Sequence, residues 1–266
     1  MHKRSFILVC VVIPVFFLTF GESPASWLDR PLVPAVPSFP YLLGSFSTAL
    51  DSDADRTHNI GLCVRQLNNR VIPPAGRFSF NHAVGPRSAK RGFRKAPVLY
   101  FDDMERLVGG GVCQVSTTLY NAALLADLII VKRTKHSSRV YYVPPGQDAT
   151  VSYGYRDLVL RSSFDFPIQI KAATTPTELM ISIYGRGPLP YEVRLERRTR
   201  EVAPPFDSPT ARPGLEIQLY RLRFEDSVEV SRELVSVDVF PPVHDWKEAS
   251  EFESSADVDG SDGLEN

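Results

Sequence analysis

Apolar positions along this chain fall into three regimes: an unbroken run, two stretches at helical spacing, and a long series of short alternating segments. Residues 6–20 are apolar apart from Pro14 and Thr19. Over 56–67, Ile60, Val64 and Leu67 share one face, which predicts a helix ended by Asn68 and Asn69. Residues 73–76 (Pro-Pro-Ala-Gly) read as a turn and 78–80 as a short strand, and Asp102-Asp103 between 98–101 and 104–108 predicts a hairpin. A second helix is expected over 113–127, with Val115, Leu119, Ala122, Ala123 and Ala126 on its buried face. Strands are expected at 128–131, 140–143, 150–153, 158–160, 168–172 and 179–184. Two helices followed by a run of strands is the order of an α+β fold, two helices packed on a mainly antiparallel sheet. After the punctuation at 185–190, alternation at 193–195, 216–224 and 228–240 predicts a small C-terminal β module whose hairpin tip is 225–227.

Composition changes this picture mainly at the ends. With 266 residues, 43% of them hydrophobic and 23% charged, the chain can build one large domain plus an appendage. The net charge of −1 hides an asymmetry: the last twenty residues hold seven acids and one base, leaving the rest at +5. That surplus is spread out and lacks the dense basic stripe of a nucleic-acid binder, so no nucleic acid is expected as a partner. His2-Lys3-Arg4 before the apolar run reads as a signal peptide or an uncleaved signal anchor over 1–25, which predicts export and, if the segment is uncleaved, attachment to a membrane. Proline at every third position from Pro31 to Pro40 makes 26–40 a spacer. As a polyproline rod, the ten residues from Pro31 to Pro40 would extend roughly 30 Å; otherwise the segment is an unstructured linker. The organisation expected is therefore signal or anchor 1–25, spacer 26–40, domain 41–187, β module 188–246 and an acidic disordered tail 247–266.

Candidate chemistry concentrates at residues 109–121, Gly-Gly-Gly-Val-Cys-Gln-Val-Ser-Thr-Thr-Leu-Tyr-Asn. Glycines let a backbone approach a bound group closely, and the first turn of the helix that follows offers unpaired amides and a partial positive charge. A thiol placed there is acidified, so Cys113 is a candidate nucleophile and the amides of Gly110 and Gly111 candidate oxyanion donors, with Gln114 in support. His136 is the candidate base, with Asp148 or Asp157 to orient it. Asn81 and Ser116 are candidate substrate contacts. The order Cys, His, Asp on a helix and the segments after it is papain- or transglutaminase-like by analogy of fold alone. Plainer alternatives stand beside these: Cys113 bonded to Cys63 or simply buried, His136 on a surface loop, Asp148 as a turn cap, and Tyr120, Tyr141 and Tyr142 as core. No metal-ligand spacing joins His58, His82, His136 and Cys113, and neither a metal nor another cofactor is expected.

At these residues the sequence resembles the VanW family. The resemblance rests on 78–81, Val84-Gly-Pro-Arg87, the cysteine-centred stretch 109–122, His136-Ser137, 142–151, Tyr153-Gly154 and Asp157-Leu158, within roughly 43–185. It implies a bacterial envelope protein, associated by name with vancomycin resistance, and a cysteine-dependent L,D-transpeptidase-like acyl transfer on peptidoglycan stem peptides with Cys113 as nucleophile. The alternative it leaves open is a non-catalytic module that binds peptidoglycan or a glycopeptide. Many relatives carry repeated wall-binding modules before the domain, where this chain has its proline spacer.

Overall fold

The computed structural model describes residues 38–100, 103–204 and 211–242. The apolar run, most of the proline spacer and the acidic tail lie outside these residues. Among the described residues no helix is long and apolar enough to cross a membrane.

The architecture is α+β, with antiparallel sheets around three helices. Strand β1 (Tyr41–Ala49) leads to helix α1 (Ala54–Leu67), whose first turn is closed by the Asp53 carboxylate accepting from the Arg56 amide at 2.8 Å. Next come β2 (Arg70–Ile72), β3 (Arg77–Ser79) and a five-residue helix α2 (Phe80–Val84). The hairpin β4 (Lys95–Tyr100) and β5 (Asp103–Val108) feeds the glycine turn and helix α3 (Val112–Leu125). Strands β6 (Ile129–Lys132), β7 (Val159–Arg161), β8 (Ile168–Thr174) and β9 (Glu178–Gly185) complete the domain. A four-stranded sheet runs β1-β9-β8-β2 and a three-stranded one β3-β7-β6.

Helix α3 is the axis of the core. It packs on β1 and β9 and against α1, and twelve of its fourteen residues are buried. The single apolar face expected from periodicity is therefore a correction: α3 is enclosed on nearly every side. Ile60, Cys63 and Leu67 of α1 and Ile168, Ile170, Ile181 and Ile183 of the sheet fill the space around it.

Two segments expected as strands, 140–143 and 150–153, are not strands. Residues 133–158 cross from β6 to β7 without regular structure apart from one isolated bridge, Ser152 to Arg156. The segment 78–80 is also divided, since Phe80 opens α2 instead of ending a strand.

Beyond β9 the chain forms a third sheet, β10 (Glu192–Val202), β11 (Gly214–Glu225) and β12 (Val228–Phe240), paired in that order. Asp226 and Ser227 both take positive φ, the conformation a tight two-residue hairpin requires. This sheet is fastened to the end of α3. The Asp127 carboxylate accepts from Arg223 at 2.6 and 3.0 Å and pairs with Arg221 at 3.1 Å, while Arg221 also donates to the Leu128 carbonyl at 2.8 Å. Leu219 of β11 enters the main core.

Candidate active site

The glycine turn before α3 is shaped by close contact. A Cβ on Gly110 would lie 2.5 Å from the Ala96 carbonyl oxygen, and Gly111, the residue preceding the helix, has φ +98°. From α1, Asn59 donates to the Gly110 carbonyl at 3.0 Å and buried Arg56 donates to the Pro97 carbonyl at 3.1 Å. The turn is thus clamped between α1 and β4, and it presents Cys113 on the first turn of α3.

The polar residues of α3 hold what faces the thiol. Ser116 Oγ donates to the Ala149 carbonyl at 2.7 Å, Thr117 Oγ1 accepts from the Ala149 amide at 2.9 Å, and Asn121 Nδ2 donates to the Gln147 carbonyl at 2.7 Å. These bonds strap residues 147–150 along the helix and so fix Asp148 and Thr150 beside Cys113. The Asp148 carboxylate accepts from both the backbone amide and the Nδ1 of His136, at 2.7 and 2.6 Å. Nδ1 therefore carries the proton and Nε2 is left for the thiol side of the ring. Arg133 donates to the other Asp148 oxygen at 3.0 Å. The Cys113 thiol lies 3.6 Å from both Thr150 Oγ1 and the Val151 carbonyl.

The electrostatics follow from this placement. Burial opposes ionisation of Cys113, but hydrogen bonding and positive charge from His136, with contacts to Val151 and Thr150, outweigh it and bring the thiol down to about 7. Burial pushes the other way on His136, and Asp148 together with the Cys113 sulfur raises the imidazole to about 9. The thiol therefore ionises around neutral pH beside an imidazole that still holds its proton. Asp148 resists the upward push of its own burial because His136 and Arg133 hold it below the usual carboxylate range. Cys63 is the contrast: it is fully buried, and burial drives its thiol up to about 12. Both cysteines are free thiols, so the expected alternative of a Cys63–Cys113 bond is absent.

Cys113 and His136 open onto a cleft of about 450 Å³, bounded by the glycine turn, Val98 and the segment Arg139–Tyr142. Its lining contains Arg56, Arg139 and His136 and no acidic residue among those described. Tyr141, expected in the core, is 64% exposed and belongs to the cleft wall, whereas Tyr120 is fully buried.

Several expected site residues do other work. Asp157 does not orient His136; its carboxylate accepts from Ser79 Oγ and from the Asn81 amide at 2.9 Å, closing the start of α2. Asn81 lies outside the lining of this cleft; its side chain ties α2 to the Ser152 and Arg156 carbonyls and accepts from Arg87 at 2.6 Å. Gln114 borders the cleft, yet its amide is spent: Nε2 donates to Thr48 and to the Ala49 carbonyl, and Oε1 accepts from Arg56. Ser116 is fully buried on Ala149. The Gly110 amide donates to the Leu107 carbonyl at 3.3 Å, leaving Gly111 and Cys113 as the amides of this turn with no hydrogen bond among the described residues. Those two are the oxyanion donors the geometry offers. Arg56, Arg133 and Thr150 escaped the sequence reading; an arginine opening a helix and a threonine beside an aspartate carry no distinctive spacing. Among the described residues no three His, Cys, Asp or Glu side chains converge as a metal site.

Residues 55–184, which include the whole cysteine-centred turn and the strapped loop, match the family described as VanW like protein. The chain carries a VanW-like domain. Two relatives share it. The Uncharacterized protein YoaR of Bacillus subtilis (strain 168) is 41% identical over 144 residues, 54% of this chain and 48% of that protein. The Vancomycin B-type resistance protein VanW of Enterococcus faecalis (strain ATCC 700802 / V583) is 28% identical over 147 residues, 50% of this chain and 54% of that protein. The chain thus spans about half the length of the curated relatives it matches. No solved structure matches it. Within the VanW-like domain, Cys113, His136 and Asp148 all fall inside the matched residues, while β10 to β12 lie outside them.

Proposed function

We propose that this protein acts outside the cytoplasm on the cell wall, transferring acyl groups of peptidoglycan stem peptides through Cys113 in the manner of an L,D-transpeptidase. The observation that carries the reading is the line of Asp148, His136 and Cys113 at the mouth of a cleft, with two unpaired amides beside the sulfur. The Cys113 thiolate attacks a peptide carbonyl. Gly111 and Cys113 amides hold the resulting oxyanion, and the His136 imidazolium gives its proton to the departing amine as the thioester forms. An incoming amine, losing its proton to His136, then takes the acyl group to leave a cross-link; water in its place gives hydrolysis. Asp148 keeps the ring oriented throughout.

The substrate class rests on charge and kinship. A cleft that carries Arg139 and the His136 imidazole, without an acid among its described lining, suits the carboxylates of a stem peptide; the Arg56 charge beside it is already paired with Asp51 at 3.0 Å. The name of the Enterococcus relative ties that protein to vancomycin resistance. The apolar N-terminal run preceded by His2-Lys3-Arg4 supports export. The layout of a helix-borne cysteine followed by histidine and aspartate parallels that of papain- and transglutaminase-like enzymes as an analogy of arrangement.

The test is turnover of purified muropeptides by the full chain and by C113A. Wild type is expected to form a thioester adduct visible by intact mass and to release product, and C113A neither. Equal turnover by the two proteins overturns the reading.

A further inference from the structure

The loop that carries His136 and Asp148 has no strand ladder of its own, and the groups that hold it come from two sides. Helix α3 straps residues 147–150. The other side is the C-terminal sheet. Arg133 Nη1 donates to Asp238 Oδ1 of β12 at 2.6 Å, while its Nη2 and Nε donate to the Asp148 side chain and carbonyl at 3.0 and 2.7 Å. All three side chains are sealed from water, Arg133 at 8%, Asp148 at 3% and Asp238 at 6% exposure. The same loop meets this sheet at two further points. Lys135 Nζ lies 4.3 Å from the centre of the Phe240 ring, and Gly146 fits against Ile217 so closely that a Cβ would come within 2.7 Å of it.

We infer that Asp238 is a positioning residue of the site, holding Asp148 and therefore His136 against Cys113 through Arg133, so that the C-terminal sheet is a working part of the VanW-like domain's active centre. The inference rests on the thiol–imidazole reading above. Its basis is the shared guanidinium: one planar fork bonds the orienting carboxylate and a carboxylate 90 residues further along the chain, and a fork fixes angle as well as distance. Arg133 also lies 5.4 Å from the centre of the Tyr120 ring of α3. The ionisable groups facing Asp238 and Arg133 are therefore Tyr120, Asp148, His136 and, at the sheet edge, Lys135. Without Asp238, Arg133 is free to swing onto Asp148 alone, drawing the carboxylate off the ring and weakening the imidazolium that acidifies the thiol.

The experiment is iodoacetamide labelling of the full chain against pH, read on the Cys113 peptide by mass, for wild type, Asp238→Asn and Asp127→Asn. Asp127 anchors the same sheet at the far end of α3, roughly 20 Å from Cys113 at 1.5 Å per residue, so its variant reports loss of anchoring without loss of the relay. In D238N the apparent thiol pKa is expected to rise by about one unit towards the free value, with labelling at pH 7 slowed roughly five- to tenfold. D127N is expected to melt lower but to label as wild type. If D238N does not fold, Arg133→Lys keeps the charge and loses the fork, and the same rise is expected of it. A low wild-type thiol pKa that neither D238N nor R133K moves overturns this inference alone. An ordinary pKa already in wild type overturns it together with the nucleophile reading.

Discussion

Two thiols share one core and meet opposite surroundings. Cys63 is sealed in the core and burial keeps it protonated up to about 12, whereas Cys113 is pulled to about 7 by the imidazolium of His136. Alkylation in non-denaturing buffer should therefore modify Cys113 and leave Cys63 untouched until the chain is unfolded. The sign of the pH dependence follows from the two values. Labelling of Cys113 should fall as pH drops through about 7, where the thiolate is protonated, and change again near 9, where His136 loses its proton and the ion pair ends. Peptide mapping across pH 5 to 10 checks both limbs. The two aspartates should separate just as clearly. D148N should slow thiol labelling and turnover together. D157N should leave them near wild type while costing about 1–3 kcal/mol of stability, by weakening the hydrogen bonds the carboxylate accepts from Ser79 and Asn81. Denaturant melts and labelling rates on the same two variants settle the division of roles. Sequence spacing could not choose between them, because each aspartate opens a segment after a turn and looks like a cap. Only the path of residues 133–158 across α3 brings Asp148, and not Asp157, to the imidazole.

The elements show where sequence patterns were readable and where they were not. Helix α1, strands β6 to β9, β11 and β12, and residues 193–195 of β10 are legible from the spacing of their apolar residues, while the hairpin β4–β5 is legible from its Asp102-Asp103 turn. Strand β1 is not: the residues it turns toward α3 include Gly44 and Thr48, which give no apolar signal. Residues 140–143 and 150–153 mislead for the opposite reason. Their β-forming residues are real, but no strand pairs with them: α3 side chains hold Ala149 just before the second segment, whose Thr150 and Ser152 amides donate to the Thr134 and Arg156 carbonyls. Polar residues on α3 read as an ordinary wet face, when in fact Ser116, Thr117, Thr118 and Asn121 are fully buried and bonded. The glycine turn is the element most sensitive to added bulk. G110A should push a methyl group into the Ala96 carbonyl, costing about 1–3 kcal/mol and shifting Cys113 off the cleft. A fall in turnover larger than the fall in melting temperature would mark the displacement.

For the whole molecule, the C-terminal sheet and the rest of the domain behave as one body. Removing residues from 188 onward would take Arg221 and Arg223 from Asp127 and Asp238 from Arg133, and uncover the core that Leu219 fills. Breaking one buried pair by deleting a partner costs about 3–5 kcal/mol, a large part of the 5–15 kcal/mol that stabilises a typical domain. The truncated chain should therefore lose its cooperative thermal transition, a result circular dichroism reads directly. Helix α3 carries a different implication for how such proteins diversify. Because nearly every residue of that helix touches something on all sides, a lineage exploring new substrates has little room to vary it one position at a time. The rim from Ser137 to Tyr141 is half-buried to open and, among the described residues, its side chains make no such bonds except for the Tyr141 hydroxyl on Asp51, so innovation, natural or in a mutagenesis library, has its cheapest route there.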